Sequence, residues 1–348
     1  SPRSPSRRYQ VLQSDPRAAA TLAESCGLSL TAAQVLLHRG LGAEDPSSFL
    51  DASLRGLHAP TQMADRELCA ERLAAAIAKK ERIVVFGDYD VDGTTSALIL
   101  SEILRALGAE VRTLVADRFV GGYGLSDAAL ERCLAENPKV LVTCDCGSSD
   151  HERIRKARTR GIDVLVVDHH LVPEEPLPAL AFLNPHRPDC EFPYKGMCSA
   201  GLAFSLGAAV RAKRGASLDV RRWLDLVALG TIADVAPLVG DNRRLVRAGL
   251  KMIGSAQARP AVQALRRAAK IPASAQLTAG DIAFRFAPRI NAPGRLGASE
   301  LTLRFLQART VQEAQRLADQ VEAHNDKRKE LSASAFSEGL AQAREIYG

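Results

Sequence analysis

Several features are scarce in this chain of 348 residues, and each shortage removes a class of protein. No uninterrupted apolar run approaches the roughly 18 residues that a membrane-crossing helix needs, so no membrane span is expected. No charged-then-apolar stretch opens the chain, so no secretory signal is read there. The seven cysteines lack a paired framework. Without an export signal they read as free thiols in a reducing compartment, and the expected location is cytoplasmic. Cys144 and Cys146 flank Asp145, but no further Cys or His stands at zinc-finger spacing, so a thiolate zinc site is disfavoured. Aromatic residues amount to 5%, in a composition rich in Ala, Leu and Val that suits a globular fold. No internal repeat is present.

What is present leans basic. Lys and Arg number 46 against 40 Asp and Glu, a net charge of +6 with pI about 9.0, which fits a polyanionic partner only weakly. Residues 1–8 form a Ser/Pro/Arg stretch that reads as a loose arm. The chain begins at Ser1 without Met and stops at Gly348 at the end of a long helical pattern, and is read as part of a longer protein. Three regions are expected: an arm and helical segment at 1–65, an α/β domain at 66–310 and a long helix at 311–348.

Residues 9–80 read as helices, with breaks at Gly40–Gly42 and Pro60, a helix started by Pro46 after Glu44-Asp45, and an Ala-rich helix at 66–80. β-Branched runs then alternate with helical patterns. "RIVVF" (82–86), "VRTLV" (111–115), "KVLVTC" (139–144) and "IDVLVVD" (162–168) read as strands, and a helix is expected from Thr94 to Leu107. This alternation predicts an α/β fold, a mostly parallel sheet with helices on both faces. From 217 to 310 the chain reads as helical. Thr278 with Asp281, and Thr310 with Glu313, have capping-box spacing, the second opening a helix to about 346.

Three acidic clusters follow three of the strands: "FGDYDVDG", "CDCG" and "VVDHH". Ligands of an open parallel sheet bind outside the carboxyl ends of its strands. Asp88, Asp90, Asp92, Asp145, Asp168, His169 and His170 are therefore delivered to one edge of one sheet. Carboxylates crowded there repel one another unless a cation lies between them. Carboxylates with imidazole suit Mn²⁺ or Mg²⁺. Two such ions side by side can clamp the attacking and leaving oxygens of a phosphoester. Asp145, alone on its strand, is the candidate bridge. Asp90 and Asp92 alternate, so an extended segment would point both the same way, with Gly93 allowing a tight turn into the helix.

"DYDVDGTTS", "DHH" and "GTIADVAPL" resemble signature motifs of the DHH phosphoesterases, and "GGYGLS" (121–126), "NPHRPDC" (184–190) and "APRINAPGRLG" (287–297) resemble the RecJ-like members. The likeness runs from about residue 30 to the C-terminus. It implies a metal-dependent exonuclease that degrades single-stranded DNA from the 5′ end, in repair and recombination. It implies two divalent ions, Mn²⁺ or Mg²⁺, one held by Asp90 and Asp145 and the other by Asp92, Asp145, His169 and Asp234. Asp88 and His170 are implied to act in catalysis, supporting the site or contacting phosphate. Asp234, in a helical stretch, is found through the resemblance alone. A single-stranded-DNA-binding protein is an implied partner. Arg289, Asn291 and Arg295, placed in a Gly/Pro-containing loop, and Arg118 with Tyr123 are the expected substrate-binding groups, the arginines for phosphate and the tyrosine for base stacking.

The sequence departs from the family in three places. Cys146 stands where most relatives have Asn, and its thiol cannot reproduce an amide's hydrogen bonds. Phe86 stands where sister families place a His ligand, which implies a more open first metal position. The Gly-Gly-His segment of a DHHA1 domain and an OB-fold are not found, so the helix at 311–348 reads as a connector toward a missing domain and activity is expected to be impaired. Two other readings are a phosphodiesterase for oligonucleotides or cyclic dinucleotides, and a catalytically inactive replication scaffold of the same superfamily. The full set of acidic and imidazole groups disfavours the scaffold.

Overall fold

Each of the four β-branched runs forms a strand, and a fifth strand joins them. The computed structural model describes residues 12–13, 15–41 and 46–347. The expected arm at 1–8 and the acidic turn at Glu44-Asp45 lie outside the described residues. The chain divides into two units, Ser1–Gly56 and Leu57–Gly348. The first holds helices Pro16–Cys26 and Leu30–His38, capped by Asp15 and Ser29. Leu22, Ala33 and Leu36 form its small core.

The second unit is built on β1 (Ile83–Gly87), β2 (Val111–Val115), β3 (Val140–Cys144), β4 (Asp163–Val167) and β5 (Ala181–Leu183). All pairings are parallel, in the order β2-β1-β3-β4-β5. The chain leaves β1 to one side for β2 and returns to the other side for β3. The switch point therefore falls between β1 and β3, where such sheets open a crevice. β5 escaped the sequence reading because it is only three residues, AFL, in a Pro-flanked stretch that shows no periodicity.

Helices cover both faces. Val84, Phe86, Leu141, Val164 and Val166 pack with Leu130, Cys133, Ile154 and Ala157 of helices Asp127–Ala135 and His151–Thr159. Alternation along the strands turns their other residues to the opposite face. There Val91–Ala106, buried almost throughout, packs on β1, β2 and β3 and is itself covered by Ser199–Lys213 and Leu224–Ala233. It is thus the centre of that layer, and the helix Val311–Tyr347 lies further out. This last helix docks through Ala314, Leu317, Ala318 and Val321 onto Pro260–Ala268, Ala287–Arg295 and Ser299–Gln307. Among the described residues no single helix is long and apolar enough to cross a membrane.

Two local expectations are corrected. The helix after β1 starts at Val91, not Thr94, because the Asp90 carboxylate caps it by accepting from the Gly93 amide at 2.9 Å. Asp90 and Asp92 are therefore a cap and a first-turn residue, not alternate positions of an extended segment. Gly93 is needed for close approach: a Cβ there would stand 2.5 Å from the Asp88 amide nitrogen. The segment around 287–297 is largely a helix, Ala287–Arg295, rather than a loop. It continues directly from the helical turn Ile282–Phe286, so Pro288 is an interior residue of a longer helical run, and buried Ile290 and Ala292 hold it down. The Thr278–Asp281 capping box forms as expected.

Candidate metal centre

Strand register sets out the site. Gly87 of β1 pairs with Cys144 of β3, Cys144 with Val167 of β4, and Val167 with Leu183 of β5. The next residues, Asp88, Asp145, Asp168 and Asn184, therefore stand in one row across the sheet edge. The row is stitched by backbone bonds: the Asp88 amide donates to Cys144 O at 3.2 Å, the Asp145 amide to Val167 O at 3.0 Å and the Asp168 amide to Leu183 O at 3.1 Å. All four side chains are buried. Asp145 then adopts left-handed backbone, φ 62°, and turns the chain away from the sheet.

Helix ends aim the remaining groups. Asp92 accepts from the amides of Ser199 at 2.8 Å and Ala200 at 2.9 Å, the first turn of Ser199–Lys213. Asp234 caps the C-terminal end of Leu224–Ala233. That helix lies so close that a Cβ on Gly230 would be 2.8 Å from Asp92 Oδ1. His169 Nε2 is 3.1 Å from Asp145 Oδ1, 3.8 Å from Asp92 Oδ2 and 3.9 Å from Asp234 Oδ2. The Ser199 hydroxyl also donates to Asp145 Oδ1, at 3.2 Å. Among the described residues two groupings arise, Asp145–His169–His170 and Asp92–His169–Asp234, each able to offer ligand atoms within 4.8 Å of one another. Asp90 belongs to neither, but its charge is felt by Asp88, Asp92, Asp145 and Asp234.

Burial and like charge set the electrostatics of the cluster. Burial, then the charge of Asp90, pushes Asp88 up to about 7. Burial raises Asp92 to about 6, with His169 opposing and Asp234 and Asp90 adding to the rise. Burial and Asp90 take Asp234 to about 6. Burial, Asp92 and Asp90 lift Asp145 well above the usual carboxylate range. These groups have been taken out of water and set against one another, an arrangement that a divalent cation relieves. The donors are carboxylate oxygens and imidazole nitrogens, which fit Mn²⁺ or Mg²⁺. No cysteine sulfur belongs to either grouping. Cys146 instead packs in the apolar cluster with Leu125 and Ile154, which explains why a thiol is accommodated there.

Asp168 behaves differently. Burial opposes its ionisation, but bonds from His170 and Ser148 outweigh burial and hold it down at about 2. His170, bonded to Asp168, is raised, whereas burial lowers His169. The two adjacent histidines are thus given opposite tendencies.

The expected substrate groups surround this centre unequally. The Tyr123 hydroxyl donates to the Asp145 carbonyl at 3.0 Å and stands 3.1 Å from His170 Nε2, so its phenol reaches the site itself. Arg118 lies over the Tyr89 ring, 5.9 Å from its centroid. Asn291 Oδ1 accepts from the Val91 amide at 3.1 Å and so buttresses the turn carrying Asp90. Arg295 is exposed and has no partner among the described residues. Arg289 directs its guanidinium to Glu322, with Nε at 2.6 Å and Nη2 at 3.1 Å. Sequence reasoning missed Ser199 and Ala200, whose amides hold Asp92. Backbone donors leave no signature in composition, and the small-residue run "CSAGLAF" is the one trace available.

A family model described as the DHH family, N-terminal domain, matches residues 82–231. The single-stranded-DNA-specific exonuclease RecJ of Dickeya dadantii (strain 3937) is 42% identical over 228 residues, 62% of this chain and 39% of that protein. That of Escherichia coli (strain K12) is 38% identical over 232 residues, 63% of this chain and 40% of that protein. A crystal structure of exonuclease RecJ bound to manganese superposes with a TM-score of 0.73 at 36% identity, covering 80% of this chain and 70% of that one. RecJ in complex with Mn²⁺ from Thermus thermophilus gives a TM-score of 0.82 at 33% identity, covering 97% of this chain and 48% of that one. The chain spans about two fifths of the length of the curated relatives it matches.

Proposed function

Because the chain belongs to the RecJ group of the DHH family, we propose that it hydrolyses phosphodiester bonds of single-stranded DNA, from the 5′ end, with two divalent metal ions. The observation that carries this reading is the row of strand-end acids, Asp88, Asp145 and Asp168, facing Asp92, His169 and Asp234. Asp92, Asp145, His169 and Asp234 would hold metal, with Asp90 beside them at the helix cap. When bound, the ions supply Lewis acidity and an activated water.

The chain's own residues do the positioning. Ser199 and Ala200 fix the Asp92 carboxylate from behind. Asp168 orients His170, and Tyr123 confines that ring from the open side. His170, kept toward its protonated form, suits a hydrogen bond to a phosphate oxygen. Asp88 supports the turn from Gly124, whose amide donates to it at 3.2 Å. Arg118, over the Tyr89 ring, and Arg295, on the helix whose Asn291 meets the turn carrying Asp90, are exposed guanidiniums that suit the strand's phosphates. Arg289 and Asn291 act behind them, Asn291 on the Asp90 turn. Within this reading residues 66–310 are the catalytic domain, 1–65 an accessory segment and 311–348 a connector. A role in DNA repair and recombination, a single-stranded-DNA-binding protein as partner and a cytoplasmic location belong to the same reading.

The test is digestion of 5′-labelled and 3′-labelled single strands with Mn²⁺, beside calorimetric Mn²⁺ titration of wild type and Asp145→Ala. Early release of labelled mononucleotide from the 5′ label, and loss of Mn²⁺ binding in the variant, are expected. Absence of Mn²⁺ binding by the wild type would overturn the proposal.

A further inference from the structure

A second charged cavity lies at the far ends of the helices that carry the metal-site acids. Its volume is about 970 Å³, ample for a small-molecule ligand. Glu102, Arg105 and Ala106 reach it from Val91–Ala106, and Asp225 from Leu224–Ala233. The opposite ends of these helices present Asp92 and Asp234. At 1.5 Å rise per residue, Arg105 lies about 20 Å along its helix from Asp92, and Asp225 about 14 Å from Asp234. The cavity is therefore separate from the metal centre.

Its charges do not balance. The floor is settled: Arg259 Nε binds Asp225 Oδ2 at 2.7 Å, and its Nη2 lies 3.7 Å from Glu102 Oε2. Glu102 also accepts from Trp223 Nε1 at 2.6 Å. The third acid on the wall, Glu313, accepts from the Arg309 backbone amide at 3.1 Å. Five guanidiniums thus face three carboxylates, and Arg259 engages two of those acids. Four guanidiniums remain: Arg105, Arg222, Arg304 and Arg309. Among the described residues Arg105 bonds to Val111 O, at 3.1 Å, and to Thr113 Oγ1, at 2.6 Å. Arg222 lies over the Trp223 ring at 5.8 Å. Among the described residues none of the four has a carboxylate within ion-pair distance. They also repel: burial first, then Arg112 and Arg309, draw Arg105 below its ordinary range despite Glu102.

Crowded guanidiniums call for an anion as crowded carboxylates call for a cation. Planar guanidinium forks match phosphate oxygens. Trp223, buried at 6% exposure and bonded to Glu102, presents no open ring face for a base. We infer that this cavity is a polyphosphate-binding site, recognising a run of phosphate groups through Arg105, Arg222, Arg304 and Arg309. The phosphates could come from a free oligophosphate or from a nucleic-acid strand. The inference does not rest on the proposed nuclease activity.

Trp223 is the single tryptophan of the chain and supplies the readout. Metal-free protein in EDTA at low salt is titrated with sodium tripolyphosphate, and separately with an unphosphorylated thymidine oligonucleotide, following Trp223 fluorescence and binding heat. Saturable binding of tripolyphosphate is expected, and any oligonucleotide binding that is lost with the cavity arginines shows that a strand also supplies the phosphates. Arg304→Ala with Arg309→Ala, both exposed side chains, should weaken it by about tenfold or more, the loss of one or two charge-assisted bonds. Asp145→Asn should leave it unchanged. No saturable binding of either probe, equal binding by the double arginine variant, or loss of binding in Asp145→Asn would each overturn the inference.

Discussion

The carboxylate of Asp168 sits 2.7 Å from Nδ1 of His170, and the same oxygen accepts the backbone amides of His169 at 2.8 Å and His170 at 3.3 Å. One buried acid therefore sets both the ring and the backbone of the two-histidine turn. Asp168→Asn keeps the shape but removes the charge that holds His170. Partners of this kind typically contribute about 10–100-fold to affinity or activity. We expect a fall of that size in kcat on single-stranded DNA, with a smaller change in Mn²⁺ affinity. Turnover within about twofold of wild type would show that His170 does not depend on Asp168.

Gly230 is where two helices touch behind Asp92. An added Cβ would meet Asp92 Oδ1 at 2.8 Å and Thr95 Oγ1 at 2.5 Å. Gly230→Ala should destabilise the fold by about 1–3 kcal/mol, the usual cost of overpacking. It should also weaken Mn²⁺ binding by displacing the carboxylate. Calorimetry and a denaturant melt measure the two effects separately, and an unaltered Mn²⁺ affinity would refute the second.

The sheet was legible because buried parallel strands are β-branched runs, and four of the five announce themselves that way. The acids at their ends were legible for the same reason, since topology alone sends Asp88, Asp145 and Asp168 to one edge. Asp234 was not, because an acid at a helix end has many ordinary reasons to be there. It was found only through the likeness to known motifs. The partnership of Asn291 with the Val91 amide joins positions 200 residues apart in the chain. No local pattern encodes such a contact. Arg289 suits phosphate by its chemistry, but its bond to Glu322 depends on how the long helix docks, which only the assembled fold reveals.

That bond yields a third test. Arg289 and Glu322 are both largely shielded, with side-chain exposures of 16% and 28%, and meet through two bonds. A double-mutant cycle of Arg289→Ala and Glu322→Ala should give a coupling energy of about 1 kcal/mol, within the range for contacting charged pairs. Strict additivity in the melting free energies would mean that the pair does not tether the long helix.

Val235 occupies left-handed backbone, φ 59°, immediately after Asp234, with 87% of its surface exposed. A β-branched residue pays a steric penalty of about 1–2 kcal/mol in that conformation. Asparagine tolerates it better. Val235→Asn should therefore raise stability by about 0.5–1 kcal/mol without moving Asp234. A melting temperature below that of wild type would argue against the strain.

The row formed by Gly87, Cys144, Val167 and Leu183 makes the sheet a gauge block for the chemistry at its edge. Adding or removing one residue within any of these strands would slide the polar residue at its end by about 3.3 Å and flip it to the other face. Loops at the opposite, amino-terminal edge can lengthen without disturbing that calibration. Tolerance to insertion in this protein should therefore be polarised, permissive at one rim of the sheet and forbidding along the strands that lead to the other.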